Sequence, residues 1–339
     1  MTVEPAALQA AGAPAATGRH RSPLLEQRGA VAGQEPDAAV AAHYGDPLRE
    51  QRMLAAGRVV VDRSHRDVVT VTGPDRLSWL HSLTSQHLEA LLPGHGTEAL
   101  VLSPNGHIEH HLAVVDDGTS TWIDVEPGTG QALLAFLDRM RFMLRVELAD
   151  RTDDTAVLTV VDHGGPVVLP AQLPPELPVG DARAVRAMPW GTDLLVDRAQ
   201  LARAAGATGY SLAGHDAFEA IRVEQVRPRL GFETDHRTIP NETPWLHAAV
   251  HLQKGCYRGQ ETVARTHNLG RPPRKLVRLQ LDGGLPARGA PVAWEARTVG
   301  RVTTPAYHWE LGPIALAVLK RNVPEQAPLV TDGLAAVVG

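Results

Sequence analysis

From about His43 onward, short apolar runs alternate with polar punctuation. Residues 58–62 (Arg-Val-Val-Val-Asp) and 67–72 (Asp-Val-Val-Thr-Val-Thr) read as strands, the second stopped by Gly73-Pro74. Pro74 opens a helix, since Leu77, Leu80, Leu83 and Leu88 recur near helical spacing, and Pro93-Gly94 ends it. Residues 98–102 and 108–115 predict a hairpin around the turn Ser103-Pro104-Asn105-Gly106. A strand at 122–125 and an amphipathic helix over 130–143 follow. Strands at 156–162 and 192–197 flank a Pro-rich loop at 165–180, and 219–226 reads as a short helix. After Arg271-Pro272-Pro273-Arg274, runs opened by Leu276, Leu279 and Leu281 are broken by Gly283-Gly284, Gly289, Gly300 and Gly312, the rhythm of a small all-β barrel. Strands interleaved with helices and hairpins predict an α+β protein rather than a doubly wound sheet.

Residues 1–42 are rich in Ala, Gly, Pro and Gln and poor in large apolar side chains. Such a stretch buries too little surface to offset its ordering entropy, so a disordered tail is expected, with a short helix inside it as the alternative. The expected division is therefore 1–42 tail, 43–271 two α+β subdomains split near 150, and 272–339 barrel. The 339 residues are 43% hydrophobic and 21% charged, with a formal net charge of −5. That balance argues against a dedicated duplex nucleic-acid binder. One cysteine, Cys256, rules out a disulfide framework within the chain and an all-cysteine zinc site. No apolar run approaches the length of a membrane span, and residues 1–16 lack the basic start and apolar block of a secretory signal. A cytoplasmic protein with no membrane contact is expected.

The most informative stretch is Lys254-Gly255-Cys256-Tyr257-Arg258-Gly259-Gln260-Glu261. Thr243-Pro244 offers the start of a short helix before it, and Gln260 to Arg265 the first turns of another. Cys256 then sits between two cations and ahead of a helix N-terminus, an environment that favours a thiolate. The other reading is a small buried cysteine packing in a turn. The octapeptide resembles the signature of the YgfZ family, relatives of the glycine-cleavage T-protein (aminomethyltransferase). Residues 60–65 (Val-Val-Asp-Arg-Ser-His), 71–77 (Val-Thr-Gly-Pro-Asp-Arg-Leu) and 80–85 (Leu-His-Ser-Leu-Thr-Ser) are similar to the T-protein's N-terminal pattern. Pro93-Gly94-His95-Gly96 and the Pro-Asn-Gly turn continue it. Arg222-Val223-Glu224 resembles the Arg-x-Glu pterin segment, and residues 299–304 and 314–317 resemble the C-terminal barrel. The resemblance spans roughly residues 43–323.

It implies two ferredoxin-like α+β subdomains plus a C-terminal small β-barrel around a central folate pocket. It implies tetrahydrofolate or a related reduced folate as cofactor, with Glu224 taking the pterin. One carboxylate can accept both the ring N–H and the amino group of a pterin edge. Arg222, Lys254, Tyr257, Arg258, Gln260 and Glu261 are the further expected cofactor-binding residues, and Cys256 the residue able to do thiol or iron chemistry. A single cysteine cannot hold a cluster alone. The family's association with iron–sulfur cluster assembly or repair implies cluster proteins or their assembly machinery as partners, with indirect support of cluster enzymes that include tRNA-modifying ones. In the T-protein an aspartate pair supplies the catalytic carboxylate; the aligned stretch here reads Gly106-His107-Ile108-Glu109-His110-His111, with His110 and His111 at the aspartate positions. A conventional aminomethyltransferase is therefore not expected. A folate-dependent one-carbon transfer on another amine and a non-catalytic folate-sensing module are the alternatives.

Two histidine sets, His107/His110/His111 and His247/His251 with Cys256, suggest metal ligation by composition. His110 and His111 point to opposite faces of a strand, and His247 and His251 fall on the wet face of a helix, so both sets are assigned structural or solvent roles and no metal is expected. Arg271-Pro272-Pro273-Arg274-Lys275 reads as the linker into the barrel, without the interleaved aromatics or phosphate-cradling loop of direct nucleic-acid binding.

Overall fold

The computed structural model describes residues 20–57, 59–161 and 182–339. The expected loop at 165–180 and the first nineteen residues of the expected tail lie outside them. In chain order, β1 (Val31–Ala32) pairs with β2 (Ala41–His43), and α1 (Pro47–Ala56) leads to β3 (Val59–Asp62) and β4 (Asp67–Thr72). Then come α2 (Arg76–Leu83), β5 (Gly96–Leu102), β6 (Ile108–Asp116), β7 (Ser120–Val125), α3 (Gly130–Arg141) and β8 (Glu147–Asp150). The second stretch holds β9 (Thr155–Val161), β10 (Ala182–Met188), β11 (Gly191–Asp197), α4 (Leu201–Ala207), β12 (Ser211–Ala213) and α5 (His215–Glu224). Helices α6 (Trp245–Ala248) and α7 (Gln260–Leu269) precede the last strands. These are β13 (Arg274–Leu281), β14 (Pro291–Trp294), β15 (Arg297–His308), β16 (Gly312–Lys320), β17 (Leu329–Thr331) and β18 (Leu334–Val338).

The fold is α+β, as the pattern predicts. Sheet one runs β5-β6-β7-β4-β8 and is antiparallel throughout; sheet two runs β10-β11-β9-β3-β12, with β12 parallel to β3; β13 to β18 close a barrel. Alternation along β5 and β6 divides the burial. Ala99, Val101, Leu112 and Val114 pack under α2 and α3 with Leu80, Leu133 and Leu137. On the other face Val68, Val115 and Trp122 meet Val157, Ala184 and Leu195 of sheet two. The two units are not divided cleanly at residue 150, because sheet two takes β3 from ahead of sheet one. The 130–143 helix stops at Arg141, where Phe142 takes φ +47° and stands 89% exposed.

The expected tail is corrected over residues 20–42. Ser22 caps a 3-10 turn at Pro23–Glu26, accepting from the Leu24 N–H at 3.1 Å, and its hydroxyl donates to the Asp62 carboxylate. Leu24, Val40 and Ala41 are buried, and β2 lies against α5. The arm carries few large apolar residues but is held by charge and by capping to residues distant in sequence, which composition does not register.

The octapeptide forms a clip over sheet one. Gly259, at φ +80°, lies against the turn between β5 and β6: a Cβ there would sit 2.5 Å from the Ser103 carbonyl oxygen and 2.8 Å from the Gly106 Cα. Tyr257 and Val263 enter the core formed by Leu100, Leu102, Ile108 and Trp245. Gly259→Ala combines a left-handed backbone on an L-residue with overpacking, and should lower stability by about 2–4 kcal/mol. Gly255, with nothing within 4 Å of a built Cβ, should accept alanine within about 0.5 kcal/mol. Urea denaturation midpoints of the two variants provide the check.

Candidate functional site

Where the two sheets, α5 and the segment around α6 meet, a cavity opens with about 690 Å³ of free space, its mouth included. Its walls come from four places. Arg63, His65 and Arg66 lie between β3 and β4; Glu98, His111 and Ala113 project from β5 and β6; Phe218, Glu219 and Arg222 line one face of α5; Pro244, Trp245 and Ala248 come from around α6. Glu126, Trp190, His215, Arg227, Pro228 and Arg229 complete it.

The walls are bound by ion pairs. Arg222 grips Glu219 through Nε and a terminal nitrogen, both at 2.9 Å, and reaches Glu233 at 3.0 Å. Arg229 bonds Asp37 at 2.9 and 3.0 Å and Glu126 at 2.8 Å. Burial alone would raise the Glu219 carboxyl, but Arg222, Arg229 and His215 outweigh it and hold it at about 2. Asp37, delivered by the N-terminal arm, has one oxygen 3.0 Å from His65 Nε2 and the other 3.3 Å from His215 Nε2. The three residues offer ligand atoms within 4.8 Å of one another. A terminal nitrogen of Arg229 lies 3.2 Å from His215 Nε2, so the cluster already carries its cation, and a divalent ion there would meet that positive charge directly.

His111, at one of the positions where the T-protein pattern has an aspartate, forms a dyad with a carboxylate. Its Nε2 lies 2.6 Å from a Glu98 oxygen, and its ring stacks on Trp245 at 4.4 Å. His110 points to the other face as expected; burial pushes it down to about 4, and its Nδ1 has no hydrogen-bond partner. Glu109 sits where the β5–β6 register shifts, turned outward to Arg258 at 3.1 Å. His247 and His251 are exposed, but α6 ends at Ala248, so they do not share a helix face; His251 instead lies beside His87, ring centroids 5.3 Å apart.

Of the residues expected to bind the cofactor, Arg222 alone lines this cavity. Glu224, on the opposite side of α5, is about one-third exposed, 3.6 Å from His308 Nε2; Glu219, five residues earlier, faces inward instead. Lys254 turns away: its ammonium donates to the carbonyls of His81 in the last turn of α2 and of Thr84 (2.7 Å) and Gln86 (3.0 Å) just after it, and burial pushes it down to about 8. Tyr257 is buried beneath that ammonium, 5.2 Å from ring centroid to nitrogen. Arg258 is held by Glu109, and the Gln260 amide donates to the Lys254 carbonyl at 3.3 Å. Cys256 and Glu261 are exposed outside the cavity. Neither cation flanking Cys256 in sequence is therefore free for its thiol.

Sequence reasoning missed Asp37, Glu98, Trp190, Phe218, Glu219, Arg227 and Arg229. Glu219 had a signal in its i,i+3 spacing to Arg222; Asp37 had none, since its partners lie far along the chain.

His215 gives a pH test. Burial lowers an imidazole, but Asp37 and Glu219 outweigh it and raise His215, against the opposing charge of Arg229. A raised folded value means the imidazolium stabilises the fold fully below about pH 6.5, the unfolded value, and this increment is lost as pH rises through the folded one. Asp37→Asn should lower the His215 titration midpoint in a histidine NMR titration. The stability gap to wild type should narrow as pH rises past the wild-type midpoint. A midpoint unmoved by the substitution would contradict the pairing.

No family model matches the chain. A chloroplastic protein of Arabidopsis thaliana with a provisional transferase name is 27% identical over 73% of this chain and 62% of its own length. A mitochondrial iron–sulfur cluster assembly factor (IBA57 homologue) of Mycosarcoma maydis is 26% identical over 63% of this chain and 55% of its own. The chain thus spans about six-tenths of these two relatives. An aminomethyltransferase of Symbiobacterium thermophilum is 25% identical over 78% of both chains. Among solved structures, the glycine cleavage system aminomethyltransferase T of Bartonella henselae superposes with a TM-score of 0.77 at 19% identity, over 93% of this chain and 94% of that one.

Proposed function

Starting from a chain that is a YgfZ-like member of the aminomethyltransferase (T-protein) superfamily, we propose that it binds a reduced folate in the central cavity and serves iron–sulfur cluster assembly or repair. The observation that carries this reading is the His111–Glu98 dyad standing in a T-protein-like cavity where a catalytic carboxylate is expected. The residues present fit a pterin. Trp190 and Phe218 contribute aromatic surface shared with the Arg63 and Arg227 guanidinium groups, and Trp245 carries the stacked His111 ring, a flat wall against which a pterin would lie. The Glu219 carboxylate accepts from Arg222 through both oxygens, with Arg229 at 3.4 Å and His215 at 3.7 Å, and a pterin's ring N–H and amino group would share its remaining acceptor capacity. When bound, the folate would supply a one-carbon acceptor. The chain's own part is to orient the ring, to keep Glu219 ionised, and to hold a histidine rather than an acid beside the reacting edge. Cys256, exposed on the clip, is the group for contact with a cluster or a partner's thiols, and the clients include cluster enzymes that modify tRNA. A cytoplasmic setting is part of this proposal.

Aminomethyltransferase relatives that this chain matches over 78% and 93% of their length favour a second reading: one-carbon transfer to or from another amine, with the His111–Glu98 pair as acid–base group.

Titration with 5-formyltetrahydrofolate separates Glu219 from Glu224. Glu219→Gln should weaken binding by about 1.5–3 kcal/mol, the range for a hydrogen bond to a charged group, while Glu224→Gln leaves it unchanged. The reverse order would return the pterin role to Glu224.

Supplied with aminomethyl-loaded lipoyl carrier and tetrahydrofolate, the protein should give background turnover alone; robust product would promote the second reading. Cys256→Ser should keep folate affinity and stability yet fail to restore cluster-enzyme activity in a strain lacking the native protein. Full restoration would remove the thiol from the function.

A further inference from the structure

Four of the five arginines lining the cavity have a carboxylate within salt-bridge distance. Arg63 has Asp193 at 3.2 Å, Arg66 has Glu126 at 2.9 Å, Arg222 has Glu219 and Glu233, and Arg229 has Asp37 and Glu126. Among the described residues, Arg227 has none. Its side chain makes no hydrogen bond to a described residue, and its Nε is buried without a partner among them. The nearest carboxylates are committed elsewhere: Glu219 to Arg222 and Arg229, Glu98 to His111. Its guanidinium carbon lies 5.4 Å from the Trp190 ring centroid and 5.1 Å from that of Phe218. The Arg63 guanidinium stands 5.5 and 5.1 Å from the same two rings.

We infer that Arg227, with Arg63 beside it at the Trp190 and Phe218 rings, is the binding site for a ligand carboxylate. Ring contacts to a desolvated cation recover only part of the cost of taking an ion out of water. The rings therefore leave the charge undercompensated. Burial, followed by repulsion from Arg222 and Arg63, pushes Arg227 down to about 9, in keeping with a missing counter-charge. The position is fixed rather than mobile: the Arg227 carbonyl accepts from Arg222 at 2.6 Å, its N–H donates to the Arg222 carbonyl at 3.0 Å, and Pro228 follows. A guanidinium pairs a planar carboxylate through two parallel N–H bonds, and flat aromatic faces suit a planar group. A metal is the wrong occupant beside two guanidinium groups.

The carboxylate has two possible sources, the glutamyl tail of a folate or a separate small acid. The inference does not depend on folate binding. Isothermal titration of the full chain at constant ionic strength, with chloride as the control salt, would use 4-aminobenzoylglutamate, glycine and acetate, each alone and with 5-formyltetrahydrofolate. At least one carboxylate probe should bind wild type saturably. Arg227→Gln should weaken it at least tenfold, with Arg227→Lys intermediate. Binding of 4-aminobenzoylglutamate alone, in competition with the folate, assigns the tail. Binding of glycine or acetate alongside the folate assigns a second ligand. Because the substitution removes an uncompensated charge, unliganded Arg227→Gln should melt no lower than wild type; a large drop in Tm would make the arginine structural and overturn the inference. So would carboxylate affinities equal in wild type and Arg227→Gln, or no saturable binding by any probe. If wild type binds a small carboxylate through Arg227 but not 5-formyltetrahydrofolate, the folate reading falls and this one stands.

Discussion

Asp124, at the inner end of β7 and fully buried, accepts hydrogen bonds from two arginines: Arg66 between β3 and β4, and Arg186 on β10. Arg186, equally buried, also holds Asp193 of β11 at 2.7 Å and donates to the Ala113 carbonyl of β6 at 2.7 Å. This knot ties sheet one to sheet two through charges removed from water. Such a network is stable only when complete, and removing one member would strand the others at a cost of about 3–5 kcal/mol. The Asp124 carboxyl is accordingly held well below the ordinary carboxylate range: burial opposes ionisation, and Arg186, Arg66 and Arg63 overcome it. With the sheets locked at this point, the cavity beside them has walls that cannot slide past one another.

The same arrangement extends outward. Arg66 hands on to Glu126, Glu126 to Arg229, and Arg229 to Asp37 of the arm. Arg222 carries it to Glu233 and to Thr304 of the barrel at 3.0 Å. Three units distant in sequence thus share one electrostatic lattice, and the cavity lies within it. In such a lattice an arginine without a carboxylate stands out, whereas on a surface it would mean nothing.

Much of the scaffold was legible. The Ser103–Gly106 turn, the alternation along β5 and β6, and the glycine-broken runs of the barrel all report local backbone demands, and local patterns carry those. The octapeptide was legible as a signature but not in its work. Its Lys254, Tyr257, Arg258 and Gly259 turn out to secure α2 and the β5–β6 turn. A lysine reaching helix carbonyls and a lysine reaching a ligand look alike in sequence. Glu224 lies outside the cavity for a related reason: on a helix, two residues of offset from Arg222 turns a side chain well away from it, whereas the three-residue offset of Glu219 keeps both on one side. Asp37 was illegible because nothing near it in sequence marks it; its meaning comes from Arg229, His65 and His215.

The place of β3 has a consequence for how the chain is made. Sheet one, β4 to β8, is contiguous in sequence and can assemble as soon as it leaves the ribosome. By contrast β3, made earlier, pairs with β9 through Val59↔Val161 and with β12 through Ser211↔Val59. During synthesis this all-valine-and-aspartate segment, Val59–Asp62, must wait with both edges open until its neighbours emerge. Such long-range pairing is slow, and an open apolar strand is prone to join the wrong chain. Arg63 and Arg66 follow it, charges of the kind that discourage strand association, and in the finished fold the same two side chains line the cavity.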